Sequence, residues 1–66
     1  MKKSDREWLE AIRAALEASR LNLLELVKKH GSTTGLAVAL MAIETALQEV
    51  DYILKTGSFD PSEVKP

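Results

Sequence analysis

A single break in an otherwise helix-favouring chain limits what the chain can fold into. The segment Gly31-Ser32-Thr33-Thr34-Gly35 combines glycines with hydroxyl residues, which favour turns and helix N-caps. No glycine or proline occurs from Asp5 to His30 before it, and the next glycine after it is Gly57. Glycine and proline are the residues that most disfavour a helix interior. The sequence therefore predicts two long helices joined by a short loop.

The ends of both helices are marked by residues suited to them. Ser4 and Glu7 have the spacing of a capping box, in which the serine oxygen accepts from a first-turn N–H and the glutamate reaches back to the cap. The first helix is predicted over about residues 5–30, with Gly31 taking the left-handed capping conformation. The second is predicted over about residues 34–56, with Gly57 as the stop signal. Two long helices joined through residues 31–34 must pack side by side and antiparallel.

Residues 1–66 are predicted to form a single helical-hairpin domain. The tail, residues 57–66, is expected to be partly ordered. Asp60, Pro61 and Glu63 suit the start of one helical turn, but too little chain follows to stabilise it.

Apolar positions are more numerous than one hairpin can cover. Two series spaced by three and four residues are predicted to form the seam between the helices: Leu9, Ile12, Leu16, Ser19, Leu23, Leu26 and His30 in the first, and Leu36, Leu40, Ile43, Leu47, Val50 and Leu54 in the second. Further apolar residues flank both series, and the chain has no cysteine to form a disulfide that would reinforce a small core. We therefore expect an all-α antiparallel two-helix hairpin that dimerises into a four-helix bundle.

The expected self-association interface combines seam residues with flanking ones. It comprises Trp8, Ile12, Leu16, Leu23, Leu24, Val27, Leu36, Leu40, Met41, Ile43 and Leu47. Asn22 is the candidate for specifying the pairing, because a buried asparagine can fix register and oligomeric state. The alternative is that Asn22 lies at the boundary and reaches water. Alanines on both helices either allow close helix approach or simply reflect the high helix propensity of alanine.

Charged residues mark the expected solvent faces. They recur at intervals of three and four: Arg6, Glu10, Arg13, Glu17 and Arg20 on the first helix, and Glu44, Gln48, Asp51 and Lys55 on the second. Pairs within each helix are expected to support it modestly. With nine basic and ten acidic residues and a net charge of −1, no overall field directs the chain towards nucleic acid or an anionic membrane.

No residue pattern predicts catalysis, a metal site or a cofactor. The only histidine, His30, precedes Gly31, where a cation suits the helix C-terminus. Glu7 and Glu10 have the Glu-x-x-Glu spacing, which resembles that of the magnesium-dependent all-α nucleotide pyrophosphatases. Gln48, however, stands where the second motif of that family has an acid, and the acidic doublet is missing. Surface charge is the preferred interpretation, and a magnesium-dependent nucleotide hydrolase is the more distant alternative.

The leading functional hypothesis is a small non-catalytic interaction or regulatory module that forms a homodimer. Binding to an unidentified protein partner is the other option. A cytoplasmic location without membrane association is expected, because the longest apolar run, Leu36–Ile43, is too short to cross a bilayer and the N-terminus does not fit a secretory signal. In length and layout the hairpin resembles the Rop family of plasmid regulators, dimers of helical hairpins that bind paired RNA loops. That resemblance implies the alternative function, a nucleic-acid-binding regulator, for which Lys28 and Lys29 are the candidate contacts.

Overall fold

The computed structural model describes residues 1–60, which form two antiparallel helices. α1 spans Lys3–His30 and α2 spans Thr34–Thr56. The helices pack against each other, so the predicted all-α helical hairpin is confirmed. The Cα atoms extend over 42 × 25 × 12 Å, which is a single layer of helices. Within residues 1–60, neither helix has the length and apolarity that a membrane crossing requires.

α1 begins two residues before the predicted start, and the predicted capping box is wrong. Lys2 is the N-cap residue and makes no side-chain capping hydrogen bond. The Arg6 backbone N–H donates to the Lys2 carbonyl at 3.1 Å, which carries the helix back past Ser4. Ser4 therefore lies within the first turn, where its side chain is not placed to cap the free N–H groups. Charged residues early in α1 still suit the helix N-terminus, since Asp5 lies in the first turn.

The connection between the helices is closed by local hydrogen bonds. The Gly31 N–H donates to the Val27 carbonyl at 2.7 Å, and the φ of +81° at Gly31 favours glycine, although its ψ of 176° differs from the expected left-handed helical value. Thr33 is the N-cap of α2, and its side-chain oxygen accepts from the Leu36 N–H at 3.2 Å. This bond satisfies one of the free donors at the helix start.

α2 has the bounds that the sequence predicted, Thr34–Thr56. Gly57 ends it in the left-handed conformation, with φ 75° and ψ 9°, and its N–H donates to the Ile53 carbonyl at 2.8 Å. The next residues, Ser58 to Asp60, bring the described chain to its end beside the start of α1, at what we call the open end of the hairpin. Pro61 and Glu63, expected in a further turn, lie outside the described residues.

The hairpin has almost no interior. Among residues 1–60, only Leu9 and Leu47 are buried, each with 8% of its surface exposed. The other large apolar residues between the helices are half-buried: Leu16, Leu23, Leu24 and Val27 of α1, and Leu36, Leu40, Ile43, Val50, Ile53 and Leu54 of α2. Two helices in one layer can enclose only the line along which they touch.

The α1 seam differs from the predicted one. Ile12 and Leu26 are 45% and 41% exposed, and Ser19 and His30 are exposed as well, whereas Leu24 and Val27 are half-buried. A strict alternation of three and four has a period of 3.5 residues, while a straight helix has about 3.6 per turn, so such a series drifts round the helix by about 20° per heptad. Over the three heptads from Leu9 to His30 the drift reaches about 60°, which helps to turn Leu26 and His30 out of the contact. Ile12, only three residues after the buried Leu9, lies beside the contact from the start. The first seam prediction was therefore wrong for these four residues.

Candidate interaction surfaces

An ion pair across the helices identifies one side of the hairpin. The Arg13 guanidinium donates to both Asp51 carboxylate oxygens, with the Nη2–Oδ2 bond at 3.4 Å. Both side chains remain largely accessible, with 44% and 50% of their surface exposed. The hydrogen bond to Asp51, and next the charge of that carboxylate, raise the pKa of Arg13 above its ordinary value. Arg6 adds a second link by donating from Nη2 to the Leu54 carbonyl at 3.1 Å.

The two charged series of the sequence meet on this side. Residues three or four apart share a helix face, so the members of the α1 series lie with Arg13 and those of the α2 series lie with Asp51. We call this the charged face: Arg6, Glu10, Arg13, Glu17 and Arg20 with Glu44, Gln48, Asp51 and Lys55. The sequence predicted two separate solvent faces with pairs inside each helix, and it missed the pair that joins them. Within α1, Arg20 and Glu17 approach to 3.9 Å.

The other side of the hairpin is predominantly apolar. Successive helix residues are turned by about 100°, so Ile12, next to Arg13, lies on the opposite side of the line of contact through Leu9 and Leu16. Residues that share this side by spacing are Trp8, Ile12, Ala15, Ser19, Leu23 and Leu26 from α1, and Ala39, Ala42, Ala46, Val50 and Ile53 from α2. We call this set the apolar face. Ser19 is the one polar member of this set, and Asp5, Asn22 and Glu49, which have the same spacing, lie beside it.

The apolar face is accessible along its whole length. Trp8 at the open end is 72% exposed, and Leu26 near the loop is 41% exposed. Ala15 and Ala42, in the middle of each helix, are exposed as well. Phe59, the last large apolar residue described, is itself 57% exposed.

The residues predicted to mediate self-association fall into three places. Trp8, Ile12 and Leu23 belong to the apolar face. A second group lies along the line of contact inside the hairpin and is half-buried or buried: Leu16, Leu24, Val27, Leu36, Leu40, Ile43 and Leu47. Met41 is 67% exposed, but it lies three residues before Glu44 and seven before Gln48, on the charged side of α2. The sequence pattern could not separate these groups, because apolar residues surround this part of α2.

Asn22 is exposed, at the rim of the apolar face. It lies three residues after Ser19 and four before Leu26, so it shares the spacing of the face without lying in the helix contact. Its side chain remains placed to meet anything that covers that face.

The loop end has basic residues but a mixed charge. Lys28, Lys29 and His30 occupy the last turn of α1, where positive charge suits the helix terminus. Lys28 donates to the Glu25 carboxylate at 3.1 Å, so an acid lies beside the first of the two candidate nucleic-acid contacts.

Pockets and metal-ligand groups were sought among the described residues. Residues 1–60 contain no detectable pocket. They also contain no group of three or more histidine, cysteine or acidic side chains arranged to hold a metal ion. Glu7 and Glu10 are both exposed on α1. The surfaces available for function are therefore the two faces and the two ends of the hairpin.

Comparison with known proteins gives no relative: no family model, curated protein or solved structure matches the chain.

Proposed function

We propose that this chain is a non-catalytic interaction module whose apolar face binds a second copy, so that two hairpins complete a four-helix bundle. The observation that carries the proposal is the exposure of a predominantly apolar side that runs along both helices, with Trp8 72% exposed at one end. Soluble chains seldom leave so continuous an apolar surface in water unless it binds something.

The energetics favour covering this face. Burying a large apolar side chain contributes about 1.5–3 kcal/mol relative to leaving it in water. Among the described residues the single hairpin buries only Leu9 and Leu47, whereas Trp8, Ile12 and Leu26 remain 41–72% exposed. Chains of this size commonly obtain the missing burial by association, and a disulfide is not available here.

The size of the face also suits a second hairpin. The broad side of the molecule has an outline of 42 × 25 Å. That is enough to accommodate the roughly 800 Å² that each partner buries in a protein interface of standard size. A second copy offers a face of equal length and equal apolar character, and two-fold homodimers are the commonest oligomers. The charged face would remain on the outside of the bundle, where its polar groups stay hydrated.

The experiment is to measure mass in solution by light scattering after size exclusion, over a range of concentrations, for the wild type and two variants. Trp8→Glu places a charge on the apolar face, and Met41→Glu places one on the charged side. The two residues form a matched pair, because they are 72% and 67% exposed in the single hairpin. Neither substitution disturbs packing inside the hairpin.

The wild type and Met41→Glu are expected to be dimers, and Trp8→Glu is expected to be a monomer or to dissociate at much higher concentration. A wild type that stays monomeric at every concentration, with full helicity by circular dichroism, refutes the proposal. If Met41→Glu dissociates the dimer while Trp8→Glu does not, association uses the other side of α2.

A further inference from the structure

The charged side of α2 ends, at its outer margin, in a stripe without charge. The residues of this stripe are spaced alternately by four and three: Thr34, Val38, Met41, Thr45, Gln48 and Tyr52. Residues with this alternation share one face of a helix and occupy the a and d positions of a packed helix pair. We call this set the outer stripe. It is about 27 Å long, at 1.5 Å per residue.

The outer stripe points away from the contact between the helices. Leu47, the buried residue of α2, lies in that contact. Thr45 is two residues before Leu47 and Val38 is nine before it, which at about 100° per residue turns both towards the opposite side of the helix. Every member of the stripe is exposed. Val38 and Met41 have 60% and 67% of their surface exposed, so packing within the hairpin does not explain their apolar character.

Association through the apolar face leaves the outer stripe uncovered. The run Leu36–Ile43 contains only apolar residues, so it is apolar on every side of the helix. A helix segment of this kind is typically surrounded by protein. α1 covers one side of the run, and a second copy on the apolar face would cover another. The outer stripe, through Val38 and Met41, is the side that neither of them covers.

The charged residues that flank the outer stripe all have the same sign. In a helix pair the e and g positions flank the a and d seam, and their charges select the partner helix. With the outer stripe as the seam, the charged residues at these positions are Glu44, Glu49 and Asp51. Among the described residues Asp51 is bound by Arg13, whereas Glu44 and Glu49 form no ion pair. One acid on each flank therefore remains available to a cation from another chain.

A second copy does not match these flanks. Two outer stripes paired with each other would bring acidic flanks together, and like charges destabilise a helix pair. The outer margin of α1 has the same alternation of four and three: Glu7, Ala11, Ala14, Ala18, Leu21, Glu25 and Lys28. Charges stand within that series, and its flanking positions hold Glu10 and Glu17, with a cation, Lys29, only at the loop end. Charge therefore favours a different partner for the outer stripe.

We propose that the outer stripe binds an amphipathic helix of a different protein, whose apolar seam is flanked by lysine or arginine residues. Val38, Met41 and Tyr52 supply the apolar contacts. Glu44 and Glu49 pair with the cations, one on each flank. The proposal goes beyond the proposed function, because it concerns a second surface and a second partner.

The probe is a synthetic helix of about three heptads, with leucine at the a and d positions and lysine at e and g. Lysine on both flanks keeps this peptide from pairing with itself. A second peptide has the same seam with glutamate in place of lysine. Binding of each fluorescently labelled peptide to the whole chain is measured by anisotropy, at low and at physiological salt.

The wild type is expected to bind the lysine peptide at least about tenfold more tightly than the glutamate peptide, and added salt should reduce this ratio. Met41→Ser should weaken binding of the lysine peptide by about tenfold or more, since it removes buried apolar surface without adding charge. Trp8→Ser is the matched control on the apolar face, because Trp8 and Met41 are 72% and 67% exposed. It should leave peptide binding unchanged.

The acidic flanks are tested by a double variant, Glu44→Gln with Glu49→Gln. Binding of the lysine peptide should weaken by about threefold or more and lose most of its salt dependence. Glu7→Gln with Glu10→Gln makes the same change in net charge on α1, where both residues are exposed, and should have no effect.

Absence of binding by the lysine peptide, equal binding of the two peptides, or binding that survives Met41→Ser overturns the proposal. Loss of binding with Trp8→Ser instead would place the peptide on the apolar face and overturns it as well. If Met41→Ser dissociates a wild-type dimer, a second copy occupies the outer stripe and the proposed partner is wrong. A monomeric wild type that binds the lysine peptide through Met41 would refute the proposed function and support this inference.

Discussion

The two broad sides of the hairpin are both accessible to water, yet they differ in what their side chains have already bound. On the charged face, Arg13 binds Asp51 and Arg6 binds the Leu54 carbonyl, so polar groups find partners within the chain or in water. On the apolar face, Trp8, Ile12 and Leu26 remain exposed with no comparable partner among the described residues. Exposure alone therefore does not identify the surface that binds a second copy, since Met41 is almost as exposed as Trp8.

The difference has a physical basis in hydration. Exposed ion pairs exchange contacts with water for contacts with each other and gain little overall. Exposed apolar side chains gain free energy in proportion to the area removed from water. The polar groups of the charged face therefore gain little free energy from further contacts, whereas the side chains of the apolar face gain free energy when they are buried.

The largest effect is expected from enlarging a small residue of the apolar face. Ala42→Leu adds volume at an exposed small residue of the face that is proposed to bind a second copy, and overpacking costs about 1–3 kcal/mol per site. Because a symmetric dimer contains the site twice, its dissociation constant is expected to rise by about 30-fold or more. Analytical ultracentrifugation measures this constant directly.

Ala14→Leu is the matched control for this change, since both alanines are exposed and Ala14 lies between Glu10 and Glu17 on the other side of α1. It should leave the dissociation constant unchanged. A tighter dimer with Ala42→Leu would show that the two faces pack loosely enough to hold the larger side chain, contrary to the expected overpacking.

An intermediate effect is expected from the cap of α2, which belongs to neither face. Thr33→Val removes the oxygen that accepts from the Leu36 N–H, and loss of such a cap costs about 1 kcal/mol. For a chain of this size the melting temperature should fall by about 4–8 °C. Thr33→Ser keeps the acceptor and should restore most of the loss. Equal melting temperatures for Thr33→Val and Thr33→Ser would show that the hydrogen bond does not support the helix.

The smallest effect is expected on the charged face. Arg13→Met removes the ion pair with Asp51 but keeps an apolar stem, so the urea midpoint of unfolding should fall only slightly. The remaining difference from the wild type should shrink as salt is added, because salt screens exposed charges. Asp51→Asn provides the matched change on the partner side chain. If Arg13→Met lowered the urea midpoint more than Thr33→Val does in the same measurement, the charged face would be shown to help hold the helices together.

The ion pair is expected to be insensitive to pH through the neutral range. Asp51 raises the pKa of Arg13, so from neutral pH upward the pairing favours the folded chain, and this contribution is lost only as the pH rises above the ordinary arginine value.

Much of the fold was predictable from the local sequence. Thr33 and Gly57 set the ends of α2, and Gly31 ends α1, because each satisfies a backbone requirement that the sequence displays directly. The start of α1 was less predictable, since Ser4 has the right type and spacing for a cap but lies inside the helix. Chain composition near a helix start restricts its position only to within a residue or two.

The face of α1 that packs against α2 could not be predicted from residue spacing alone. Two apolar stripes overlap on this helix, one through Ile12 and Leu26 and the other through Leu24 and Val27. A hairpin can bury only one of them, and the choice depends on tertiary packing. The pairing of Arg13 with Asp51 is the signal that decides it, and it requires both helices to be considered together.

The near absence of an interior has a consequence for the thermodynamics of unfolding. Among its described residues the hairpin buries only Leu9 and Leu47, so unfolding exposes little additional apolar surface. The heat-capacity change of unfolding should therefore be small, and the free energy of unfolding should vary little with temperature. Pairing of two apolar faces adds that surface to the transition. The stability of the dimer then depends on protein concentration, because dilution releases single hairpins that a partner no longer stabilises.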